Sequence, residues 1–485
     1  MKKETDKHEV IVLGSNLGGL LAGTLLAKKN VSVLVLKEKE YRSSFVKEGY
    51  RFTPFSNFSE KNLNPSLLEE FSQTLNLPFL ALRHEEDRQA KAKQRVSFQV
   101  ILPKARIDLY YERSLFQMEL KREFPEEVAA IHTFYDEIDS LRRLLKKVQN
   151  EGGSQGLFPL KQHSLFKGMF SFNILPKGKM SQRLSPFSRE FKQFVHLQLT
   201  SRGNLFSDQW PMALAAHLLN DKPSGTAPHI NLEKLEENMF EHFFQCGGKV
   251  EEVEKVEKLD KEWRKGFILS LGRGEGAFQS KFLILNSPLH RILNSLSKKR
   301  KQLSKWEKRI QPRYVLIPCF LGIREGVIPI GMKDLLVSIL DLGKPYDDGN
   351  VLYLSLSPKG DETKAPEGKR ALTVESLMPV EKLNPSSLDG YQERVMKHLT
   401  HLFPFLENHI EFIDFQWANR QVSRWSYSHF LYETTQDFDW REGIVPNRFS
   451  RNLFFVGSEN FPYLGLEGEI FSGSMVAKQI LKKFH

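Results

Sequence analysis

Val10-Ile11-Val12-Leu13-Gly14-Ser15-Asn16-Leu17-Gly18-Gly19-Leu20-Leu21-Ala22-Gly23-Thr24-Leu25-Leu26-Ala27 carries no charge from end to end, and its reading decides the fold. As one helix it would sit at the lower edge of what crosses a bilayer, which takes about 17–25 residues. Gly14, Ser15, Asn16, Gly18 and Gly19 interrupt it after a short apolar start, and that pattern spells strand, turn and helix. Residues 8–13 form the strand, 20–29 the helix and 32–36 a second buried strand. The N-terminus is therefore a β-α-β unit, the kind of unit that binds dinucleotides.

Around that unit the chain has 485 residues, 40% hydrophobic and 27% charged, which excludes collagen-like, low-complexity and wholly disordered classes. Its two cysteines, Cys246 and Cys319, make no disulfide framework, and its 14 histidines show no zinc spacing or H-E-x-x-H run. No metal is expected. Residues 1–9 are polar and mixed in charge, without the basic start and apolar run of a secretory signal. A reducing, cytoplasmic setting fits, with the inner face of a membrane as a surface to lie on. The net charge of +11 suits an anionic partner without choosing one. With 37 Phe against 12 Tyr and 6 Trp, the chain calls for a large core or an apolar ligand.

Farther along, residues 126–149 read as a helix closed by a breaker cluster at 151–156. Leu232, Leu235, Met239 and Phe243 recur at helical steps until Gly247-Gly248 stops them, and a β-segment follows through Val250 and Val256. Strands are expected at 282–285, 313–322, 351–356 and 452–456, a helix within 384–403, and a last helix over 472–484. Lys298 to Arg309 is a dense basic stretch that reads as a solvated helix face.

A dinucleotide fingerprint needs glycines for the tight turn, for phosphate approach and for helix–strand packing. Here Gly14 and the pair Gly18-Gly19 stand, while Asn16 occupies the phosphate-approach position. The residue that takes the ribose hydroxyls is normally acidic. Lys37 stands there, with Glu38 one step later.

Several blocks recur in an order that resembles the phytoene desaturase-like, carotenoid isomerase-like branch of the FAD-dependent amine oxidase superfamily. Gly49-Tyr50-Arg51-Phe52 is similar to its glycine–aromatic–x–Phe segment. The stretch from Gly247-Gly248-Lys249-Val250 to Val256 resembles the strand whose backbone meets the adenine, and Asn286-Ser287-Pro288 resembles its asparagine–proline turn. Asp361 through Ala365-Pro366-Glu367-Gly368 looks like its acidic, Ala-Pro-x-Gly segment. The run from Asn452 and Gly457 through Gly465, Gly468 and Ser472-Gly473 is similar to its flavin-facing C-terminal motif.

The resemblance implies an α/β fold with a discontinuous Rossmann-like domain, residues 1–60, 200–295 and 415–485, and an inserted α+β substrate domain, 61–199 and 296–414. It also implies FAD in an extended pose beside an apolar channel, and hydride removal from, or isomerisation of, a lipophilic substrate. No catalytic triad is needed, because the cofactor carries the chemistry. Its cofactor contacts would fall on Gly14, Ser15, Asn16, Gly18, Gly19, Lys37, Glu38, Val256, Gly457, Ser458, Gly465 and Gly468. The chain departs from the pattern at those contacts. Besides Asn16 and Lys37, Ser43-Ser44 replaces a glycine pair, Thr53 and Phe55 replace an acid and a glycine, Ser458 replaces an aspartate, and Tyr463 and Leu464 replace glycines. Each lost hydrogen bond is worth about 0.5–1.5 kcal/mol. The alternative function is accordingly a non-catalytic descendant that has lost FAD and binds a lipid or a protein partner.

Phe158, Phe166, Phe170, Phe172, Phe187, Phe191 and Phe194 alternate with lysines and arginines. That mixture reads as a Phe-rich core or channel wall, or as a patch for peripheral membrane contact. No RNA- or DNA-binding motif accompanies it, so nucleic acid is not an expected partner. Trp425, Tyr427, Phe461 and Tyr463 are candidate aromatic walls, and His429 reads as an ordinary surface or core residue.

Overall fold

The protein is described from a computed structural model covering residues 6–38, 45–52, 75, 96–151, 178–207, 209–219, 232–254, 256–262, 266–271, 276–286, 308–383, 390–415, 430–434 and 444–484. Ser43-Ser44, Thr53, Phe55, Phe158 to Phe172, Ser287-Pro288, most of the 298–309 basic stretch, Trp425, Tyr427 and His429 lie outside the described residues.

The uncharged stretch folds as strand, turn and helix. β1 is Asp6–Leu13, α1 is Leu17–Ala27 and β2 is Val33–Glu38. A hairpin follows, β3 (Phe45–Lys47) and β4 (Tyr50–Phe52), then β5 (Val96–Leu102) and β6 (Ala105–Tyr110). Helices α2 (Arg113–Glu123), α3 (Val128–Glu151), α4 (Met180–Leu184), α5 (Arg189–Arg202), α6 (Met212–Leu218) and α7 (Leu232–Gln245) come next. The chain then runs β7 (Lys249–Val253), β8 (Val256–Glu262), β9 (Gly266–Leu271), β10 (Ala277–Leu285), β11 (Ile310–Arg324), β12 (Leu335–Ile339), β13 (Val351–Leu356) and β14 (Lys369–Pro379). It closes with α8 (Tyr391–Leu402), β15 (Ile410–Asp414), β16 (Phe430–Thr434), β17 (Leu453–Phe455) and α9 (Leu466–Leu481).

The first sheet has seven strands in the order β7-β2-β1-β10-β9-β8, with β17 also on β10. β7, β2, β1, β10 and β17 are mutually parallel, and β8 and β9 form an antiparallel extension. Alternation sorts its two faces, as the period of two along a strand requires. Val10, Val12, Val33, Val35, Phe282, Ile284 and Phe454 pack against α1, α7 and α9. Ile11, Leu34, Leu36, Leu283, Leu285, Leu453 and Phe455 face the other way and join the large core under the second sheet. This is the doubly covered parallel sheet of a Rossmann-like α/β domain.

The second sheet has eight strands in the order β15-β11-β14-β13-β12-β5-β6, with β16 also on β11. Against it lie α2 and α5, with α3 and α6 packed on them, and Phe116, Phe124, Phe134, Phe187, Phe191 and Phe194 from these helices and their ends form a linked ring cluster. Phe187, Phe191 and Phe194 are thus core residues rather than an interfacial patch. The β3–β4 hairpin docks on this sheet through Tyr50 and Phe52, which meet Phe320 and Phe412. Arg51 donates its backbone N–H to Lys364 O at 2.8 Å, so two of the family-like sequence blocks, 49–52 and 361–368, meet in space.

The last helix starts at Leu466, six residues before the expected start, so Gly468 and Gly473 lie inside it. Glycine weakens a helix interior, and close packing explains it here. A Cβ on Gly473 would stand 2.2 Å from Gly18 O, and one on Gly18 would stand 2.5 Å from Glu469 O. α1 and α9 cross backbone to backbone. Gly473→Ala should therefore cost about 2 kcal/mol, whereas Gly178→Ala, whose Cβ meets nothing within 4 Å, should stay within about 0.5 kcal/mol; thermal denaturation of the two variants checks both.

His398 on α8 is fully buried, with Nδ1 2.8 Å from Gly349 O and Nε2 2.9 Å from Ser338 Oγ. Nδ1–H donates to the carbonyl and Nε2 accepts from the hydroxyl, an arrangement that suits the neutral ring. Burial holds its pKa down, from 6.5 to about 4. Between those values the unfolded chain binds the extra proton, so stability is complete above pH 6.5 and falls as pH drops toward 4. Urea denaturation at pH 7 and pH 4 should show the wild type losing about 2–3 kcal/mol more than His398→Gln.

Candidate functional site

The crevice beyond the carboxyl ends of the parallel strands is where open α/β sheets bind ligands. Here Gly14 takes φ 107°, in the region glycine tolerates, and donates its N–H to Leu36 O at 2.9 Å. Asn286, at the end of β10, donates its backbone N–H to Leu13 O at 2.8 Å and its side-chain amide to Val456 O at 2.8 Å. One residue, through its backbone and its side chain, thus ties together the ends of three strands. A Cβ on Gly19 would lie 2.2 Å from Asn286 Oδ1, so this glycine is required by the carboxamide stacked on it.

At the mouth of α1, Asn16 is the N-cap with φ −62° and ψ 157°, and its carbonyl accepts the first helical N–H, from Leu20, at 3.0 Å. The amides of the first turn have no partner within a helix and form a ready anion site. Beside them Ser15 Oγ is buried and has no hydrogen-bond partner. A phosphate oxygen would satisfy it, and this turn fits the pyrophosphate of a dinucleotide. Asn16 does not cap through its side chain.

The adenosine end is built differently. Lys37 Nζ lies 3.4 Å from Glu252 Oε1 and 5.6 Å from the centre of the Phe240 ring. Lys37 and Glu252 are register partners in the β2–β7 ladder, and Glu38 faces Val253. A carboxylate thus lies beside Lys37 on the neighbouring strand. Val256 is buried on β8, opposite Leu271 in the antiparallel extension, and it is Val253 that ends the parallel strand next to Glu38. Glu252 was missed because only the ladder register brings it to Lys37.

The C-terminal motif is knit by Asn460, which is fully buried. It accepts from Gly457 N–H at 2.9 Å and from Ser472 Oγ at 2.7 Å, and it donates to Val445 O at 2.8 Å. Ser458 Oγ is 3.5 Å from both Tyr432 Oη and Glu459 Oε2. Glu459 is itself buried, so a carboxylate stands next to the place where the aspartate would be. Burial, with Glu459 and Glu469 nearby, raises the Tyr432 phenol well above its ordinary value.

Gly465 (φ 53°) and Gly468 serve the protein's own packing: their Cβ atoms would stand 2.8 Å from Arg202 O and 2.6 Å from Phe461 O. Asn204 N–H donates to Pro462 O at 2.6 Å, and Tyr463 and Leu464 are buried. Phe461 and Tyr463 contact each other edge to face at 6.2 Å.

Below this loop, His217 Nε2 is 3.1 Å from Glu467 Oε2. The Arg202 guanidinium is buried nearby over the Phe98 ring; burial lowers its pKa to about 10, against the opposing pull of Tyr111, Tyr135 and Glu467.

A cavity of about 670 Å³ opens between α4, α5, the 206–210 segment and the 342–346 loop. Leu184, Leu199, Phe206, Trp210 and Tyr314 supply its apolar wall. Phe206 packs edge-on against His196, Tyr314 and Tyr346 at 5.2, 5.0 and 5.4 Å. Its backbone N–H donates to Tyr432 O at 2.8 Å, and Tyr432 N–H donates to Asn204 O at 2.7 Å. The cavity wall is therefore coupled through one strand to the Ser458 corner. Among the described residues no cluster of His, Cys, Asp and Glu could hold a metal, and no helix is long and apolar enough to cross a membrane.

No family model matches the chain. A chloroplastic prolycopene isomerase from Arabidopsis thaliana is 24% identical over 98% of this chain and 82% of its own length. The likeness to the phytoene desaturase-like branch extends over the whole chain. Among solved structures, an oxidoreductase from Methanosarcina mazei matches with TM-score 0.59 at 15% identity, over 98% of this chain and 100% of its own. A putrescine oxidase bound to putrescine matches with TM-score 0.60 at 14% identity, over 99% and 100%. These structures establish the fold: a Rossmann-like sheet joined to a second, mixed sheet.

Glu467→Leu would leave half-buried His217 Nε2 without its carboxylate partner. It should cost about 3 kcal/mol, read by chemical denaturation, and be largely corrected by adding His217→Leu.

Proposed function

We propose that the protein is an FAD-dependent oxidoreductase of the phytoene desaturase-like type, removing hydride from, or isomerising, a lipophilic polyene-like substrate. The observation that carries this reading is the β1–α1 turn, where the open first-turn amides and the orphaned, buried Ser15 hydroxyl await an anion. A wholly lost site would be expected to satisfy that hydroxyl within the protein, since unpaired buried polar groups are costly. The relatedness to prolycopene isomerases supports the substrate class.

Bound there, FAD would supply hydride acceptance and return. The protein's own residues bind and enclose. Ser15 and the α1 amides would hold the pyrophosphate, Glu252, beside Lys37, and Glu38, at the end of β2, would take the ribose, and Glu459, beside Ser458, would meet the flavin-facing corner. The aromatic and aliphatic wall of the cavity excludes water and keeps a polyene extended. Tyr432, held neutral by burial, can donate a hydrogen bond at the Ser458 corner but cannot act as a base near pH 7.

We assign cofactor binding to residues 1–60, 200–295 and 415–485 and the substrate cap to 61–199 and 296–414, with β16 lying on the cap sheet. The working place is the cytoplasm or the inner face of a membrane.

Purified protein should carry visible flavin absorption, and denaturation should release about one FAD per chain. Asn16→Gly with Lys37→Glu should change the FAD Kd by less than about tenfold, because Glu252 already supplies a carboxylate. A wild type that takes up no FAD while that double variant does would instead identify a binding protein built on the same fold.

A further inference from the structure

The charge around the 670 Å³ cavity is one-sided. Among the described residues that line it, Arg189, Lys192 and Lys344 are cationic and none is an aspartate or glutamate. Arg189 and Lys344 are exposed, while Lys192 is half-buried and donates to Ser185 O at 2.9 Å. Lys344 has a counter-ion close by, Asp341 at 3.7 Å, so Arg189 and Lys192 on α5 carry most of the unbalanced charge. One helical step inward from Lys192 and Gln193, the same helix offers His196 and Leu199, and the lining turns apolar toward Phe206 and Trp210. Trp210 is buried and its indole N–H has no acceptor among the described residues. A purely hydrocarbon ligand would gain nothing from this cationic end.

We propose that the cavity takes an amphiphile, an extended apolar or polyene chain ending in an anionic group, carboxylate or phosphate, with Arg189 and Lys192 receiving the anion. This rests on reading the cavity as the lipophilic-substrate site, and it narrows that substrate to an acid. A cationic side chain at the mouth forms charge-assisted hydrogen bonds with such a head group, and the wall accepts the chain without unpaired polar groups.

The probes are parinaric acid, a fluorescent conjugated polyene carboxylic acid, and its methyl ester, titrated into the full-length protein. The acid should bind about tenfold or more tightly than the ester, a margin that one charge-assisted contact supplies. Arg189→Gln with Lys192→Gln should abolish that ratio while leaving the ester affinity unchanged, and Leu199→Trp should block both probes. Competition by laurate against dodecyl phosphate then distinguishes a carboxylate from a phosphate head group. Equal affinity of acid and ester for the wild type overturns the proposal while leaving the apolar site standing. Failure of both probes to bind overturns the cavity reading as well. A ratio that survives the double substitution, or binding that survives Leu199→Trp, places the anion elsewhere and also overturns it.

Discussion

The contact on which everything else depends is the crossing of α1 and α9, where Gly18 and Gly473 bring two backbones together with no side chain between them. α1 begins at the glycine turn after β1 and α9 follows the 457–465 loop, so this crossing fixes one end of the crevice against the other. Asn286 completes the lock. It stacks on Gly19, ties β1 to β10 and reaches β17 through Val456. The glycines that survive here are those the protein needs for its own packing, whatever it binds. Packing alone therefore accounts for Gly18, Gly19, Gly465, Gly468 and Gly473.

The altered positions look different once neighbours are counted. Lys37 is not simply a lost acid, because Glu252 sits beside it on the adjacent strand. Ser458 is not simply a lost aspartate, because Glu459 is buried next to it. In both places a carboxylate remains within one residue or one strand of the expected site. A half-exposed pair such as Lys37 with Glu252 contributes little to stability, about 0–1 kcal/mol, so stability alone gives no reason for it. The exchange keeps charge near the crevice while moving its anchor, a pattern more in keeping with a reshaped cofactor site than with drift.

The parallel sheet was legible in sequence because its strands alternate or run apolar in short bounded stretches, and the glycine turn announced itself after Leu13. The start of α9 was not legible. Gly465 and Gly468 read as part of a glycine motif ahead of a helix expected from 472, and only the close packing of Gly468 on Phe461 and of Gly473 on Gly18 shows why the helix takes in both glycines. Asn460 and Glu252 were missed for a related reason: each matters through a partner far away in sequence or across a ladder, and no local spacing encodes that. The Phe-rich stretch was ambiguous between core and surface from composition alone. Packing decides it for Phe187, Phe191 and Phe194, which join Phe116, Phe124 and Phe134.

The segment from Asn204 to Phe206 gives the two halves of the molecule a common mechanical element. Asn204 holds Pro462 of the flavin-facing loop, its carbonyl and Phe206 N–H both bond to Tyr432, and the Phe206 ring forms part of the cavity wall. Tyr432 in turn places its hydroxyl beside Ser458 and Glu459. A ligand that displaces Phe206 must therefore strain hydrogen bonds reaching the cofactor corner, and a change at that corner must be felt in the cavity. Since each of these bonds is buried, breaking one without replacement costs about 1–3 kcal/mol. The geometry thus favours ligands that fit the wall as it stands, and it makes shape at Phe206, together with charge at Arg189 and Lys192, the basis on which this protein selects what it binds.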